Sequence, residues 1–250
     1  MERWQGKVCV VTGASAGIGS AVCVAMASAG LSVVGLARRT HLIDELQSKV
    51  KGSGRIVSRQ CDVGDSESVA TAFRWIEDTV GCVHVLVNNA GIFHYGQTTD
   101  VGDKPLSEAA LLEVINVNFK GPVLCSRHAV ASMKRHGFHG HIITINSIAG
   151  HYVPLSPHFN VYSSTKHAVT AFLVSLTNEL AQFKSLVKIT SISPGLVDTA
   201  MAGDVIEADG SRMPMLSPMD IADAVLYALS TPPTVNIDEL TITPVAGLRL

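Results

Sequence analysis

A tyrosine and a lysine four positions apart, in Tyr162-Ser163-Ser164-Thr165-Lys166, have the types and spacing that most directly suggest chemistry. On a helix that spacing puts both side chains on one face. A phenol with an ordinary pKa of about 10 is a poor base near neutral pH. A neighbouring ammonium favours the phenolate, so the pair is suited to exchange a proton with a substrate oxygen. The same spacing also occurs on solvated helix faces, so its weight comes from its company. Ser147, in Ile145-Asn146-Ser147-Ile148-Ala149-Gly150, offers a hydroxyl just past an apolar run. Asn118, in Asn118-Phe119-Lys120-Gly121, adds an amide.

A second constellation suits a phosphate-bearing ligand. Thr12-Gly13-Ala14-Ser15-Ala16-Gly17-Ile18-Gly19 follows one apolar run and opens a helical pattern. Glycines let the backbone turn tightly and approach a pyrophosphate. The helix that follows offers free N–H groups and the positive end of its dipole. The next strand ends in Gly35-Leu36-Ala37-Arg38-Arg39, where a carboxylate would grip a ribose 2′-hydroxyl. With no acid there and two arginines instead, the site is suited to a 2′-phosphate, and NADP(H) is expected over NAD.

The elements that must position these groups are legible as short β-rich runs alternating with helical stretches. Strands are expected at Val8–Thr12, Val33–Leu36, Ile56–Ser58, Val83–Val87, His141–Asn146, Val187–Ile192 and Leu240–Thr243. Most are continuous apolar runs, as in a parallel sheet covered on both faces. Helices are expected near 17–29, 41–50, 66–80, 107–135, 161–183 and 219–230, with Ser66 and Ser107 as capped starts. The alternation predicts a single doubly wound α/β domain over residues 1–250. The glycine turn, Asn89-Ala90-Gly91, Ser147 and Pro194-Gly195 then all fall at the carboxyl ends of strands, where such sheets bind ligands.

Two features within those elements carry expectations of their own. Pro122 follows Asn118 by four and has no N–H, so the Asn118 carbonyl lacks its helical donor. That leaves the carbonyl available to hold a water near Lys166. The segment 200–218 carries Gly203, Gly210, Pro214, Pro218, Met201, Met213 and Met215. It is expected to act as a substrate loop or lid, since thioether side chains adapt to apolar ligands.

Composition excludes several classes. The chain has 250 residues, 47% hydrophobic and 16% charged, with a formal net charge of -2. That balance suits a large core and gives no basic footprint for nucleic acid. No run approaches the roughly 18 apolar residues that span a bilayer. The polar start Met1–Lys7 does not read as a secretory signal. Cys9, Cys23, Cys61, Cys82 and Cys125 are scattered in core-like segments, and read as buried thiols of a cytoplasmic protein. His136, His139 and His141 lie close together but lack an evident acidic or thiol partner, and no metal is expected.

Taken in order along the chain, these motifs resemble the short-chain dehydrogenase/reductase family over essentially the whole length. The resemblance implies a Rossmann-type sheet of about seven strands with helices on both faces. It implies that Tyr162 exchanges the proton, Lys166 binds the nicotinamide ribose, Ser147 bonds the substrate oxygen and Asn118 supports a relay water. It further implies that Asp62 and Val63 lie beside the adenine, and that Asn89, Ala90 and Gly91 line the adenosine ribose. Thr199, with Val197, Pro194 and Gly195, would lie at the carboxamide. A homodimer or homotetramer would form through the two long helices.

Ser147 and Tyr162 are 162 − 147 = 15 residues apart, which makes the loop His151–Asn160 long for the family. The end Asp238-Glu239-Leu240-Thr241-Ile242-Thr243-Pro244 lacks a glycine-rich finish. Both features, with the opening Met1-Glu2-Arg3-Trp4, resemble the branch of insect NADP-dependent farnesol dehydrogenases and vertebrate ketosteroid-reducing relatives. The expectation is an NADP(H)-dependent enzyme acting on a lipophilic substrate, farnesol first, with a ketosteroid or general carbonyl reductase as the alternative. A non-catalytic NADP(H)-binding sensor would not need Asn118, Ser147, Tyr162 and Lys166 together. A sugar-nucleotide epimerase would need more than the about 50 residues that follow Thr199.

Overall fold

The computed structural model describes residues 1–203 and 214–245. Seven parallel strands form one sheet in the order β3-β2-β1-β4-β5-β6-β7. They are β1 (Val8–Thr12), β2 (Ser32–Ala37), β3 (Arg55–Gln60), β4 (Val85–Asn88), β5 (His141–Ile145), β6 (Lys188–Pro194) and β7 (Glu239–Ile242). The order reverses between β1 and β4, which opens a crevice at their carboxyl ends. Central strands are buried on both faces, as their unbroken apolar runs require, whereas the edge strands β3 and β7 are half-exposed.

The helices are α1 (Gly17–Ser28), α2 (His41–Asp44), α3 (Ser66–Thr79), α4 (Glu108–Ile115), α5 (Gly121–Arg135), α6 (Asn160–Gln182) and α7 (Pro218–Ser230). One core lies where α1 and α7 cover the sheet, around Met26, Ile143 and Ile221. The other lies under α3, α5 and α6, around Ile76, Leu86, Met133 and Leu173. A doubly wound sheet with helices on both faces is therefore what the alternating pattern folds into.

Strand ends shift by one to two residues, and three helix features depart further from the pattern. The stretch expected as one helix over 41–50 is a single α-turn, α2, followed by a 3₁₀ segment Glu45–Lys49. The Gln47 side chain there accepts the Ile56 N–H at 2.7 Å, which ties this connection to the start of β3. The stretch 107–135 is not continuous: Asn116–Lys120 forms a π-turn in which the Gly121 N–H reaches the Asn116 carbonyl. Pro122 explains the break, because it cannot donate to Asn118, and one extra residue is taken up there. The cap of α3 is Asp65 rather than Ser66, its carboxylate accepting the Glu67 N–H. Ser107 caps α4 as expected. Cys9, Cys23, Cys61 and Cys125 are buried free thiols, whereas Cys82 is half-buried. Among the described residues no helix is long and apolar enough to cross a membrane.

Candidate active site

The glycine turn is built by close backbone approach. Gly13 holds φ +66°, and a Cβ on it would sit 2.8 Å from the Ala90 backbone. A Cβ on Gly19 would meet the Gly13 carbonyl at 2.3 Å. Only glycine permits this turn to fold back on α1 and on the end of β4. The α1 start has no side-chain cap. A twelve-residue helix therefore presents unsatisfied N–H groups and a positive dipole end to the crevice. Ser15 and Ile18 flank that end, both partly buried.

One hydroxyl organises the other side of the turn. Thr12, 2% exposed, accepts the N–H groups of Asn89 and Ala90, each at 3.0 Å. The Asn89 amide in turn donates to the carbonyls of Thr12 at 2.9 Å and Gly13 at 3.2 Å. Asn89 thus holds the glycine turn to β4, and its side chain is spent on backbone rather than left open to a ligand. Thr12 opens the glycine motif, but the motif by itself assigns its hydroxyl no role. Its signal was its place as the last residue of β1, just before the glycines.

At the end of β2, Arg38 and Arg39 are both exposed. Arg38 makes a 3.5 Å contact with Glu113, an exposed pair that contributes little. Arg38, Asp62 and Arg59 border a cleft of about 650 Å³, with Ser68 and Thr71 on its α3 side. Arg59, another residue the motifs did not reveal, lies opposite Leu36 in the β2–β3 register. Its guanidinium sits 5.1 Å from the Trp75 ring centroid, and its Nε is buried without a hydrogen-bond partner among the described residues. Asp62 accepts the Gly64 N–H at 2.9 Å, while the Val63 side chain is buried in the core.

Tyr162 and Lys166 leave the first turns of α6 on one face, the Lys166 ammonium 5.7 Å from the Tyr162 ring centroid. Lys166 is 6% exposed and donates to the Ile145 carbonyl at 3.1 Å. Burial pushes its ammonium down to about 8. Burial also pushes the Tyr162 phenol up from its ordinary value, opposed by a hydrogen bond with Ser147. In the ligand-free protein burial thus outweighs that hydrogen bond and favours the protonated phenol. The sequence pattern suggested a phenol favoured as phenolate. In the ligand-free structure burial acts in the opposite direction, toward the protonated phenol. Ser147 opens a 3₁₀ turn at the end of β5, its Oγ also accepting the Ala149 N–H at 3.1 Å.

Asn118 is 1% exposed, and its amide grips the chain after β4, accepting the Ile92 N–H at 2.8 Å and donating to the Ile92 carbonyl at 2.9 Å. Its side chain holds Gly91 and its neighbours in place, beside the broken helix at 116–120. Beyond β6, Gly195 donates to the Ile242 carbonyl at 2.7 Å. Val197 pairs with Leu216, which fastens both ends of the expected lid. Thr199 faces the α1 start, its Cγ2 3.1 Å from where a Cβ on Gly17 would be. Met215 is exposed, and Met201 partly buried, while Met213, Gly210 and most of the expected lid lie outside the described residues.

The features discounted in the sequence have structural partners. His141 is fully buried against Thr190 at 2.7 Å, and burial pushes it down to about 3. His136 pairs with Glu77 at 3.0 Å.

Comparison with known proteins fits this arrangement. Residues 7–210 match the family model described as short chain dehydrogenase. The chain is 46% identical over 247 residues to a farnesol dehydrogenase from Aedes aegypti, covering 98% of both chains. It is 38% identical over 257 residues to dehydrogenase/reductase SDR family member 11 from Homo sapiens, covering 98% of this chain and 96% of that one. Among solved structures it superposes on an alcohol dehydrogenase from the archaeon Thermococcus sibiricus complexed with 5-hydroxy-NADP. There the TM-score is 0.84 and the identity 28%, covering 98% of this chain and 100% of that one. A metagenomic short-chain oxidoreductase in complex with NADP superposes with a TM-score of 0.79 at 29% identity, covering 97% and 98%.

Proposed function

This chain belongs to the short-chain dehydrogenase family and is an oxidoreductase, and from that premise we propose that it interconverts an alcohol and a carbonyl on a lipophilic substrate with NADP(H). Farnesol and farnesal are the first substrate pair; a ketosteroid or general carbonyl is the second, in view of the vertebrate relatives. The observation that carries the reading is the meeting of Tyr162 with Lys166 and Ser147 beyond the carboxyl end of β5, with the phenol pushed up by burial and the ammonium pushed down to about 8.

The residues present fit the cofactor. The uncapped α1 start and the glycine turn would take its pyrophosphate, with Ser15, Gly17 and Ile18 beside it. Arg38 and Arg59, which line one cleft with Asp62, would take a 2′-phosphate together with the exposed Arg39, and Asp62 with the Val63 backbone would border the adenine. Asn89 holds the turn, and Ala90 and Gly91 would lie along the adenosine ribose. Pro194, Gly195, Val197 and Thr199 would border the nicotinamide end. When bound, NADPH supplies a hydride from its nicotinamide, and NADP accepts one.

Each side chain then has a definite task. The Ser147 and Tyr162 hydroxyls, which hydrogen-bond each other, would both bond the substrate oxygen and orient it. A neutral Tyr162 donates its proton to a carbonyl oxygen as hydride arrives, and takes the proton back from an alcohol in the reverse direction. Lys166, whose ammonium burial pushes down to about 8, would return a proton to the phenolate. Asn118 fixes the chain after β4 through its side chain, and its carbonyl, lacking a donor at Pro122, would be available to join a proton relay. Assembly as a homodimer or homotetramer and a cytoplasmic location complete the reading.

The test is NADPH oxidation by purified protein with farnesal and a 17-ketosteroid, NADH as the cofactor control and Tyr162→Phe as the site control. Turnover that needs NADPH and falls by roughly 10²–10⁴-fold in the variant supports the assignment. Turnover that survives in Tyr162→Phe refutes it.

A further inference from the structure

Asn160 lies two residues before Tyr162, where the chain enters α6, and holds φ 40° and ψ -128°. Residues with a Cβ rarely adopt this backbone, and where they do the surroundings hold them there. Here the side-chain amide does so. Its Nδ2 donates to the carbonyls of His94 at 2.8 Å, Gly96 at 3.1 Å and His158 at 2.9 Å, while Oδ1 accepts the Val161 N–H at 2.7 Å. Two of those carbonyls belong to the segment after β4, more than 60 residues earlier in the chain.

That segment carries Phe93, whose ring meets Tyr162 edge-on at 5.4 Å and packs on Phe159 at 5.3 Å. Phe159 also meets Tyr162, at 6.2 Å. Outside them, Tyr95 stacks on His158 at 4.1 Å. The segment after β4 and the turn before α6 therefore form one apolar wall along the Tyr162 ring. The fifteen-residue interval between Ser147 and Tyr162 supplies the length that brings Asn160 across.

We propose that Asn160 is a positioning residue: by stapling residues 92–97 to the entry of α6 it presses the Phe93–Phe159 wall against Tyr162 and so selects lipophilic carbonyl substrates. The inference rests on Tyr162 being the proton-transfer residue. The wall also keeps water from the phenol, in line with the raised pKa of that group.

Two variants test it. Asn160→Gly accepts the unusual backbone without strain and deletes the amide. Asn160→Asp keeps the size and the bond to Val161 but points a carboxylate oxygen at three carbonyls. In both, amide hydrogen exchange over 92–97 is expected to rise by about tenfold while β1 and β4 keep their protection. KM for farnesal rises by about tenfold as well, NADPH affinity stays within roughly twofold, and the tyrosine limb of the kcat/KM pH profile moves to lower pH as water reaches the phenol.

Unchanged exchange in both variants overturns the staple. Raised exchange with KM and pH profile unmoved overturns the positioning role, as does a loss of NADPH affinity in step with melting temperature. Should the unmutated enzyme turn over neither farnesal nor a ketosteroid, the proposed function fails instead, and exchange alone decides the staple.

Discussion

Replacing Lys166 by methionine should stabilise the ligand-free protein at neutral pH while removing its activity. Lys166 is 6% exposed, and burial holds its pKa at about 8 against an ordinary 10.5. At 1.36 kcal/mol per pH unit, keeping that buried ammonium charged costs roughly 3 kcal/mol below pH 8. Methionine fills a similar volume without the charge but loses the bond to the Ile145 carbonyl, worth about 1 kcal/mol. A net gain of about 2 kcal/mol is expected, or roughly 5 °C in melting temperature for a chain of this size.

The sign with pH is specific. Between about 8 and 10.5 the unfolded chain holds the proton that the folded one has released, so the unmutated protein gains stability as pH rises. About 2 kcal/mol of the deficit is recovered by pH 9.5, and the advantage of Lys166→Met shrinks accordingly. Urea unfolding of both proteins at pH 7 and pH 9.5, without cofactor, measures this. A variant less stable at pH 7, or a gap that does not change with pH, would refute the reasoning. The cost is the one a buried lysine imposes on its own fold.

Other consequences are equally direct. Thr12→Val removes the hydroxyl that accepts two N–H groups at 3.0 Å, and should destabilise by about 2–4 kcal/mol in urea unfolding and weaken NADPH binding with it. Arg59→Ala should weaken NADPH by about tenfold in a fluorescence titration while barely changing NADH, with an equal effect on both removing it from the 2′-phosphate site. Buried neutral His141, pushed down to about 3, should make stability fall as pH drops below its unfolded value near 6.5, by about 3 kcal/mol at pH 4.5. His141→Gln should flatten that acid limb in pH-dependent unfolding.

The sequence by itself determined the sheet, because strands covered on both faces must be apolar throughout and their runs stand out between helical periods. It also marked the glycine turn, since close approach of Gly13 and Gly19 to backbone excludes any other residue. Tyr162 and Lys166 were legible because a helix converts a spacing of four into a shared face. The tertiary structure decided what depends on residues far apart in the chain. Thr12 acts through the end of β4, Arg59 through its register with β2, and Asn160 through carbonyls that arrive from another loop. The direction in which the Tyr162 phenol shifts was likewise undecidable from spacing, because burial and the Ser147 hydrogen bond push it in opposite directions. Their balance depends on how much water the fold excludes from the phenol.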